Sequence, residues 1–163
     1  MMIHISADDT QSTLTNVKED DVQPNAVDLR VDKIFQINPG VFVIGEEDGK
    51  EVKIHRGSSE IPTDGQGYWN LPAGTYEIVM ENIINVGTDE AGWVITRSTL
   101  NRNGLFITSG LYDSGYHGVM AGALHVTAAA RIKKGTRVGQ FLLFKSQSLK
   151  KYDGDYGIGK IGR

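Results

Sequence analysis

The segment Arg97-Ser-Thr-Leu-Asn-Arg-Asn-Gly-Leu-Phe-Ile-Thr-Ser-Gly-Leu-Tyr-Asp-Ser-Gly-Tyr-His-Gly118 decides the fold and carries the densest chemistry of the chain. Residues 97–99 offer a guanidinium group, two hydroxyl groups and consecutive N–H groups, which suit phosphate oxygens. Residues 105–107 are apolar and predict a short buried strand, so Asp113 and Tyr116 fall in the turn after it. An Asp held there can position a water molecule, and the ring can lie against a sugar. The alternative is an ordinary hairpin whose Asp-Ser-Gly forms the turn.

Composition indicates a single all-β domain. The chain has 163 residues, which is enough for one core. Glycine is frequent, with 20 residues, proline is limited to 4, and β-branched residues are common, as expected for short strands and tight turns.

Charge and cysteine content exclude several classes of function. The formal net charge is −3, which argues against a broad electrostatic surface for nucleic acid. There is no cysteine, so neither a disulfide framework nor a thiolate metal site can form. The beginning of the sequence lacks the pattern of a signal peptide, and no stretch reaches about 18 apolar residues. We therefore expect no membrane partner and a cytoplasmic location, in a cell or in the host of a virus.

The chain before the central segment is predicted to form short strands joined by turns. Alternation of Ile3 and Ile5 indicates an edge strand, and the remainder of residues 1–22 reads as a polar, largely exposed connector. Three strands are expected within residues 33–53 and two within 68–80, with a loop at 56–66 between them.

Asp28 lies in an extended stretch that follows Pro24. Alternation within residues 26–31 places Asp28 and Arg30 on the same strand face. Judged from the residues alone, the Asp28 carboxylate forms a salt bridge either with Arg30 or with a distant arginine.

Further strands are predicted around and after the central segment. Residues 93–96 form a strand that ends at Arg97, whereas the acidic stretch at residues 83–92 reads as a solvated turn. The nearly uncharged run at 119–132 favours strands over a helix, and its small side chains suit a subunit interface. Residues 137–144 form one more strand.

Four motifs in a fixed order resemble the trimeric dUTPase and dCTP deaminase superfamily over about residues 23–160. The motifs are Asn25-Ala-Val-Asp-Leu-Arg30, Arg97-Ser-Thr with Gly110-Leu-Tyr-Asp-Ser-Gly-Tyr-His-Gly118, Gly135-Thr-Arg-Val-Gly-Gln140, and a glycine-rich tail from Tyr152 to Gly162. The resemblance implies a distorted β-barrel of the jelly-roll type, assembled as a homotrimer with shared active sites. It divides the chain into the N-terminal segment 1–22, a barrel domain at 23–145 and a tail at 146–163 that closes over the nucleotide.

The resemblance also assigns roles to individual residues. Asp113 becomes the base that activates a water molecule, and Asp28 contacts a magnesium ion through water, the triphosphate holding most of the ion. The substrate dUTP is bound through its phosphates, sugar and base by residues within or next to the last three of these motifs. These are Arg97, Ser98, Thr99, Arg102, Gly110, Leu111, Tyr116, Val119, Gln140, Tyr152 and Tyr156.

Two branches of the superfamily differ in the bond that is broken. The deaminases use a glutamate just downstream of the aspartate that corresponds to Asp113, and the position of that glutamate here is Ala123, which cannot transfer a proton. We therefore predict hydrolysis of dUTP to dUMP and pyrophosphate. The Val-Asp-Leu-Arg form of the first motif and the irregular tail resemble the deaminase branch, so a dCTP deaminase or a bifunctional enzyme stays an alternative. A nucleotide-binding regulator without catalysis is another.

Overall fold

The computed structural model describes residues 1–160, which contain thirteen strands, one short α-helix and one turn of 3-10 helix at Glu19–Asp21. The strands are β1 (Met2–Ile3), β2 (Thr13–Leu14), β3 (Val27–Ile37), β4 (Val43–Glu47), β5 (Lys50–Ile54), β6 (Ser58–Glu60), β7 (Tyr68–Leu71), β8 (Gly74–Asn85), β9 (Glu90–Thr96), β10 (Leu105–Thr108), β11 (His117–Val126), β12 (Ala130–Lys133) and β13 (Arg137–Lys145), and the helix is α1 (Ser98–Arg102).

The main sheet is antiparallel and has the strand order β1-β13-β3-β8-β11-β10, with β2 added to β8, β6 to β3 and β9 to β13. Several hydrogen bonds join β9 to the chain around β10. The backbone N of Gly92 donates to the carbonyl O of Tyr112 at 3.0 Å, and the backbone N of Ile107 donates to Oγ1 of Thr96 at 2.8 Å. They close the sheet into a distorted barrel, which confirms the predicted all-β fold.

The core fills the barrel with side chains from alternate strand positions. In β8, Tyr76, Ile78 and Met80 are buried, as the two-residue period of a strand requires. In β13, Phe141 and Leu143 are each 1% exposed. Burial of each such apolar side chain contributes about 1.5–3 kcal/mol, so the barrel provides a rigid support for the turns at its ends.

The N-terminal segment is tied to the barrel by two short strands. Residues of β1 pair with β13, and those of β2 pair with β8. Most of the segment is exposed, but Ser12 and Asp21 are buried. The division of the chain into a segment, a barrel domain and a tail stays a prediction, and residues 161–163 of the predicted tail lie outside the described part.

Two details of the predicted strands and turns are wrong. Glu90, expected in a solvated turn, is the first residue of β9 and is 1% exposed. Its carboxylate accepts hydrogen bonds from the hydroxyl groups of Ser12 and Thr10, at 2.6 and 2.8 Å. The expected loop at 56–66 contains β6, which pairs with β3.

Strands β4 and β5 form a separate hairpin, and we call residues 41–56 the arm. Nine of the ten residues in these two strands are exposed, the exception being the partly exposed Val52. The arm leaves the barrel after β3 and returns to it at β6, so its position depends on few contacts.

Candidate active site

A cleft of about 810 Å³ lies beside the turn between β10 and β11. It is bounded by three parts of the chain, namely this turn, the arm and the tail. Its lining includes six of the residues that the sequence assigned to substrate binding: Gly110, Leu111, Tyr116, Val119, Tyr152 and Tyr156. Residues that are up to 46 positions apart in the sequence are thus collected around one cavity.

The Tyr116 side chain is held in the cleft by two aromatic contacts and one hydrogen bond. Its ring is 5.3 Å from the ring of Tyr112 and 5.3 Å from that of Tyr152, both in edge-to-face geometry. Its hydroxyl group donates to the carbonyl O of Val119 at 2.8 Å. Burial, assisted by the neighbouring Tyr152 hydroxyl, raises the pKa of Tyr116 above its ordinary value, so the phenol stays a neutral donor.

Close packing around Gly118 explains why glycine is needed there. A Cβ atom at position 118 would lie 2.8 Å from the hydroxyl O of Tyr116 and 2.9 Å from Cα of Gly157. Gly157 has a φ of +119°, and a Cβ atom there would meet the carbonyl O of His117 at 2.8 Å. The tail therefore touches the turn through two residues without side chains.

Asp113 lies next to the cleft, not inside it. Its carbonyl O accepts a hydrogen bond of 3.0 Å from the backbone N of Tyr116, which forms the predicted turn. The exposed Asp113 lines a second depression of about 610 Å³, together with Lys150 and Lys151 of the tail. Among residues 1–160, only Leu111 and Tyr152 line both cavities, so these two residues form the boundary between them.

Asp28 is at the centre of a polar cluster elsewhere on the barrel. Its side chain has no exposed surface, and Oδ1 accepts a hydrogen bond of 3.0 Å from Gln140. Oδ2 accepts hydrogen bonds from Gln23 at 3.1 Å and Arg137 at 3.4 Å, and it lies 3.6 Å from Nε of Arg97. The salt bridge is thus made with distant arginines, one of the two arrangements expected from the residues.

Arg30 takes no part in this cluster. Its guanidinium pairs with the buried carboxylate of Asp21 at 2.7 Å. Burial acts to raise the pKa of Asp21, but the hydrogen bonds from Arg30 and from the Lys18 backbone outweigh it and hold that pKa below its ordinary value.

The remaining phosphate candidates are on or beside the short helix α1. Ser98, Thr99 and Arg102 are exposed there, immediately after Arg97. This helix was not predicted, because five residues are too few to display a helical period.

The two groups of candidate residues are at opposite ends of β9. Tyr112 pairs with Gly92 near the first residue of this strand, whereas Arg97 follows its last residue. Arg97 is five residue-to-residue steps of extended chain from Gly92, which corresponds to about 16 Å. One copy of the chain therefore does not bring the phosphate candidates to the turn that carries Asp113 and Tyr116.

The tail packs on the turn of its own chain. The backbone N of Tyr152 donates to the carbonyl O of Ser114 at 2.7 Å, and that of Ile158 donates to His117 at 2.9 Å. The hydroxyl group of Tyr152 accepts a hydrogen bond of 2.9 Å from the backbone N of Tyr156. This hydrogen bond holds the Tyr152 side chain in place. The Tyr156 side chain, by contrast, is 49% exposed and lines the cleft.

Several residues of the cleft were not identified from the sequence. The arm contributes Phe42, His55 and Arg56 to the lining of the cleft. Glu77 lines the cleft from β8 and is the direct cross-strand partner of Ala123. No local pattern could indicate these residues, because strand register and the fold of the arm bring them to the cleft.

The described residues do not form a metal site by themselves. Within residues 1–160, no group of three or more His, Asp or Glu side chains is arranged to hold an ion. The Asp28 carboxylate is enclosed by its arginine and glutamine partners and does not fit a contact to a hydrated ion in this arrangement.

No helix within residues 1–160 is long and apolar enough to cross a membrane. The cytoplasmic location stays a prediction.

Solved structures with a similar fold are dUTPases and a dCTP deaminase. The chain matches dCTP deaminase from Agrobacterium tumefaciens with a TM-score of 0.59 and 17% identity, over 81% of this chain and 43% of that one, so it spans less than half of that protein. Native EIAV dUTPase matches with a TM-score of 0.52 and 18% identity, over 99% of this chain and 100% of that one. These likenesses define the molecule as a dUTPase-like β-barrel protein.

Sequence comparison narrows this class to a family. A model described as dCTP deaminase-like matches residues 3–146, and the chain belongs to that family. A probable deoxyuridine 5'-triphosphate nucleotidohydrolase from Halobacterium salinarum is 32% identical over 86% of this chain and 85% of its own length. The deoxyuridine 5'-triphosphate nucleotidohydrolase of Methanocaldococcus jannaschii is 28% identical over 93% of this chain and 97% of its own length.

Proposed function

We propose that this protein hydrolyses dUTP to dUMP and pyrophosphate. The observation that carries the proposal is the cleft, in which Leu111 and Tyr116 of one motif and the adjoining Val119 lie beside the tail residue Tyr156. Relatives named as dUTP nucleotidohydrolases, 32% and 31% identical over most of the chain, support the same reaction.

The turn between β10 and β11 would bind the uracil ring and the deoxyribose of dUTP. Backbone groups at Leu111 and Val119 offer donors and acceptors to uracil, and the carbonyl O of Val119 retains a second lone pair beside its bond to Tyr116. The Tyr116 ring, fixed by two aromatic neighbours, would lie against deoxyribose and leave no room for a 2′-hydroxyl group.

Asp113 would act as the general base. Its exposed carboxylate takes a proton from a water molecule as the water oxygen bonds to the α-phosphorus. The bond from that phosphorus to the bridging oxygen breaks, and pyrophosphate leaves. Leu111 and Tyr152 separate Asp113 from the cleft. The uracil ring would therefore occupy the cleft, and the α-phosphate would extend past these two residues towards Asp113.

The site would be completed by another copy of the chain. The separation of about 16 Å along β9 keeps Arg97 and Ser98 away from the turn of their own chain. In a homotrimer, the phosphate candidates Arg97, Ser98, Thr99, Arg102 and Gln140 of one copy would face Asp113 of another. The oxygens of the triphosphate would supply most ligands of a magnesium ion, and Asp28 would hold Arg97 and Gln140 in place.

The decisive assay uses the purified protein with dUTP and, separately, with dCTP, both with magnesium, and separates the products by anion-exchange chromatography. Formation of dUMP and pyrophosphate from dUTP alone is the expected result. Absence of any product from dUTP would contradict the proposal.

Deamination of dCTP is a second candidate, favoured by Glu77. Its carboxylate accepts a hydrogen bond of 3.1 Å from Ser58 and lies across from Ala123, where the deaminase glutamate is missing. A water molecule would add to C4 while Glu77 carries one of its protons to N3. Glu77 would then carry the proton of the new C4 hydroxyl group to the amino group, so that the C4–N bond breaks, ammonia leaves and the C4 carbonyl of uracil forms. Ammonia released from dCTP by the wild type, but not by Glu77→Gln, would establish this activity.

A further inference from the structure

We infer that the arm is part of the nucleotide site, with Phe42 supplying an aromatic surface for the base in the same cleft as Tyr156. This inference rests on the proposed function, because it assumes that the cleft receives the base of a nucleotide. It goes further in assigning a binding role to a hairpin that contains none of the four motifs.

The arm does little for the stability of the barrel. Its strands contribute no residue to the buried core of the described chain. An isolated two-stranded hairpin is marginally stable, so the arm needs contacts outside its own strands to keep one position. Two such contacts are a hydrogen bond of 3.2 Å from Nε of Arg56 to the carbonyl O of Gly40 and an ion pair of 3.1 Å between Lys53 and Asp155.

Phe42 has the surroundings of a stacking residue. It is 39% exposed and lines the cleft together with His55 and Arg56. Its ring centroid is 6.0 Å from that of His55, and the Arg56 guanidinium lies over the ring at 5.9 Å. These neighbours limit the motion of the ring while part of its surface stays open. A planar heteroaromatic base is the ligand that such a surface favours.

The ion pair connects the arm to the second aromatic surface. Asp155 directly precedes Tyr156, so the bond from Nζ of Lys53 to Oδ2 of Asp155 fixes the tail next to the Tyr156 ring. The backbone N of Tyr156 is held by the Tyr152 hydroxyl at the same time. Arm and tail therefore position Phe42 and Tyr156 relative to one another, and closure of the tail over the base depends on the arm.

A binding experiment with dUMP tests the role of Phe42. Isothermal titration of the full-length wild type and of Phe42→Ala, Phe42→Trp and Val41→Ala gives four dissociation constants. Val41 is the matched control, because it is 81% exposed in the same arm and does not line the cleft. We expect Phe42→Ala to raise Kd about tenfold, Phe42→Trp to stay within about threefold and Val41→Ala to match the wild type.

The outcomes separate this inference from the proposed function. If the wild type binds dUMP and hydrolyses dUTP but Phe42→Ala keeps the wild-type Kd, the role of the arm is wrong and the proposed function stands. If the wild type neither binds dUMP nor hydrolyses dUTP, both fail.

Exchange of charges tests the connection between arm and tail. Lys53→Asp and Asp155→Lys should each raise KM for dUTP about two- to fivefold, since exposed ion pairs contribute modestly, and the double variant should recover. Lys50→Asp makes the same charge change on the same arm and serves as the control. An equal effect of Lys50→Asp and Lys53→Asp, or no recovery in the double variant, would overturn the connection.

Discussion

Gln140 donates a hydrogen bond of 3.0 Å from Nε2 to Oδ1 of Asp28, and the two residues are also direct partners across β3 and β13. The motifs had suggested separate tasks, a magnesium contact for Asp28 and a phosphate contact for Gln140. In the fold they belong to one polar cluster with Arg97. Asp28 is therefore placed to orient the groups that would bind phosphate.

Replacement of Asp28 by Asn should weaken both the fold and the site. The variant loses the charge that holds Arg97 and Arg137, at a cost of about 1–3 kcal/mol in the free energy of unfolding, and KM for dUTP should rise about tenfold. Urea denaturation and steady-state kinetics measure the two effects. Asp32→Asn, which removes a partly exposed carboxylate paired with Lys134, is the control, and equal behaviour of the two variants would contradict the assignment.

Replacement of Asp113 by Asn should lower kcat for dUTP by about 100-fold or more, because a general base is lost. The melting temperature should not change, since the side chain is exposed. Asp153→Asn provides a matched control, because Asp153 lines the same depression and is also exposed. Near-full turnover in Asp113→Asn would show that another group is the base.

Mixed oligomers should report whether the site is shared between copies. Asp113→Asn and Ser98→Ala should each have little activity, whereas co-expression of the two should restore about a quarter of it, since random assembly gives that fraction of intact sites. The readout is dUTP turnover by the purified mixture, with sedimentation to measure the oligomeric state. A mixture as inactive as its components, or a monomer in solution, would contradict a shared site.

The contribution of Glu90 to stability should depend on pH. Burial acts to raise its pKa, but hydrogen bonds from Ser12, Thr10 and Lys145 outweigh burial, and the pKa in the folded protein lies below the ordinary value of 4.5. The unfolded chain then binds the proton more readily, so the stabilisation is present above pH 4.5 and is lost as the pH falls through the folded-state pKa.

Glu90→Gln should therefore be less stable than the wild type by about 1–3 kcal/mol at neutral pH, and the difference should narrow in acid below pH 4.5. Urea unfolding at neutral pH and at a pH below 4.5 measures this difference in the free energy of unfolding. Glu60→Gln, which changes a carboxylate with 54% of its side chain exposed, should show neither effect. A difference that does not depend on pH would mean that Glu90 is not charged in the folded protein.

Gly118→Ala should disturb the contact between the turn and the tail. The added methyl group would meet the Tyr116 hydroxyl and Gly157, so one of them must move, at a cost of about 1–3 kcal/mol. KM for dUTP should rise with the loss of stability. At Gly65 a Cβ atom has no neighbour within 4 Å, and Gly65→Ala should melt as the wild type does. Similar melting temperatures of the two variants would show that the packing at Gly118 is loose.

The sequence predicted those parts of the fold that have a local cause. Alternating or continuous apolar residues indicated β10 and β13, and the Asp-Ser-Gly sequence indicated the turn that holds Asp113. The burial of Glu90 was not predictable, because its partners Thr10 and Ser12 lie about 80 positions away. Charged residues next to a turn have the same local pattern whether they face solvent or a distant segment.

The sequence predicted several individual residues that line the cleft, but it did not predict which of the candidate residues lie together. The motifs, together with the residue after Gly118, pointed to Tyr116, Val119 and Tyr156, and all three line the cleft. That Arg97 lies at the far end of β9 follows from the pairing of β9 with β13, and register between strands so far apart in sequence has no local signal. The arm was predicted as strands and turns, yet nothing in its sequence indicated that Phe42 would face the cleft.

Because the arm is exposed, its sequence can change without a change in the core of the barrel. Residues can be inserted or deleted near its tip at Asp48 and Gly49 without removing a side chain from the core, because the paired residues of β4 and β5 lie outside it. Variation in the arm would leave the barrel intact while it changes one wall of the cleft. A change in the arm would therefore alter the proposed nucleotide site and leave the scaffold as it is.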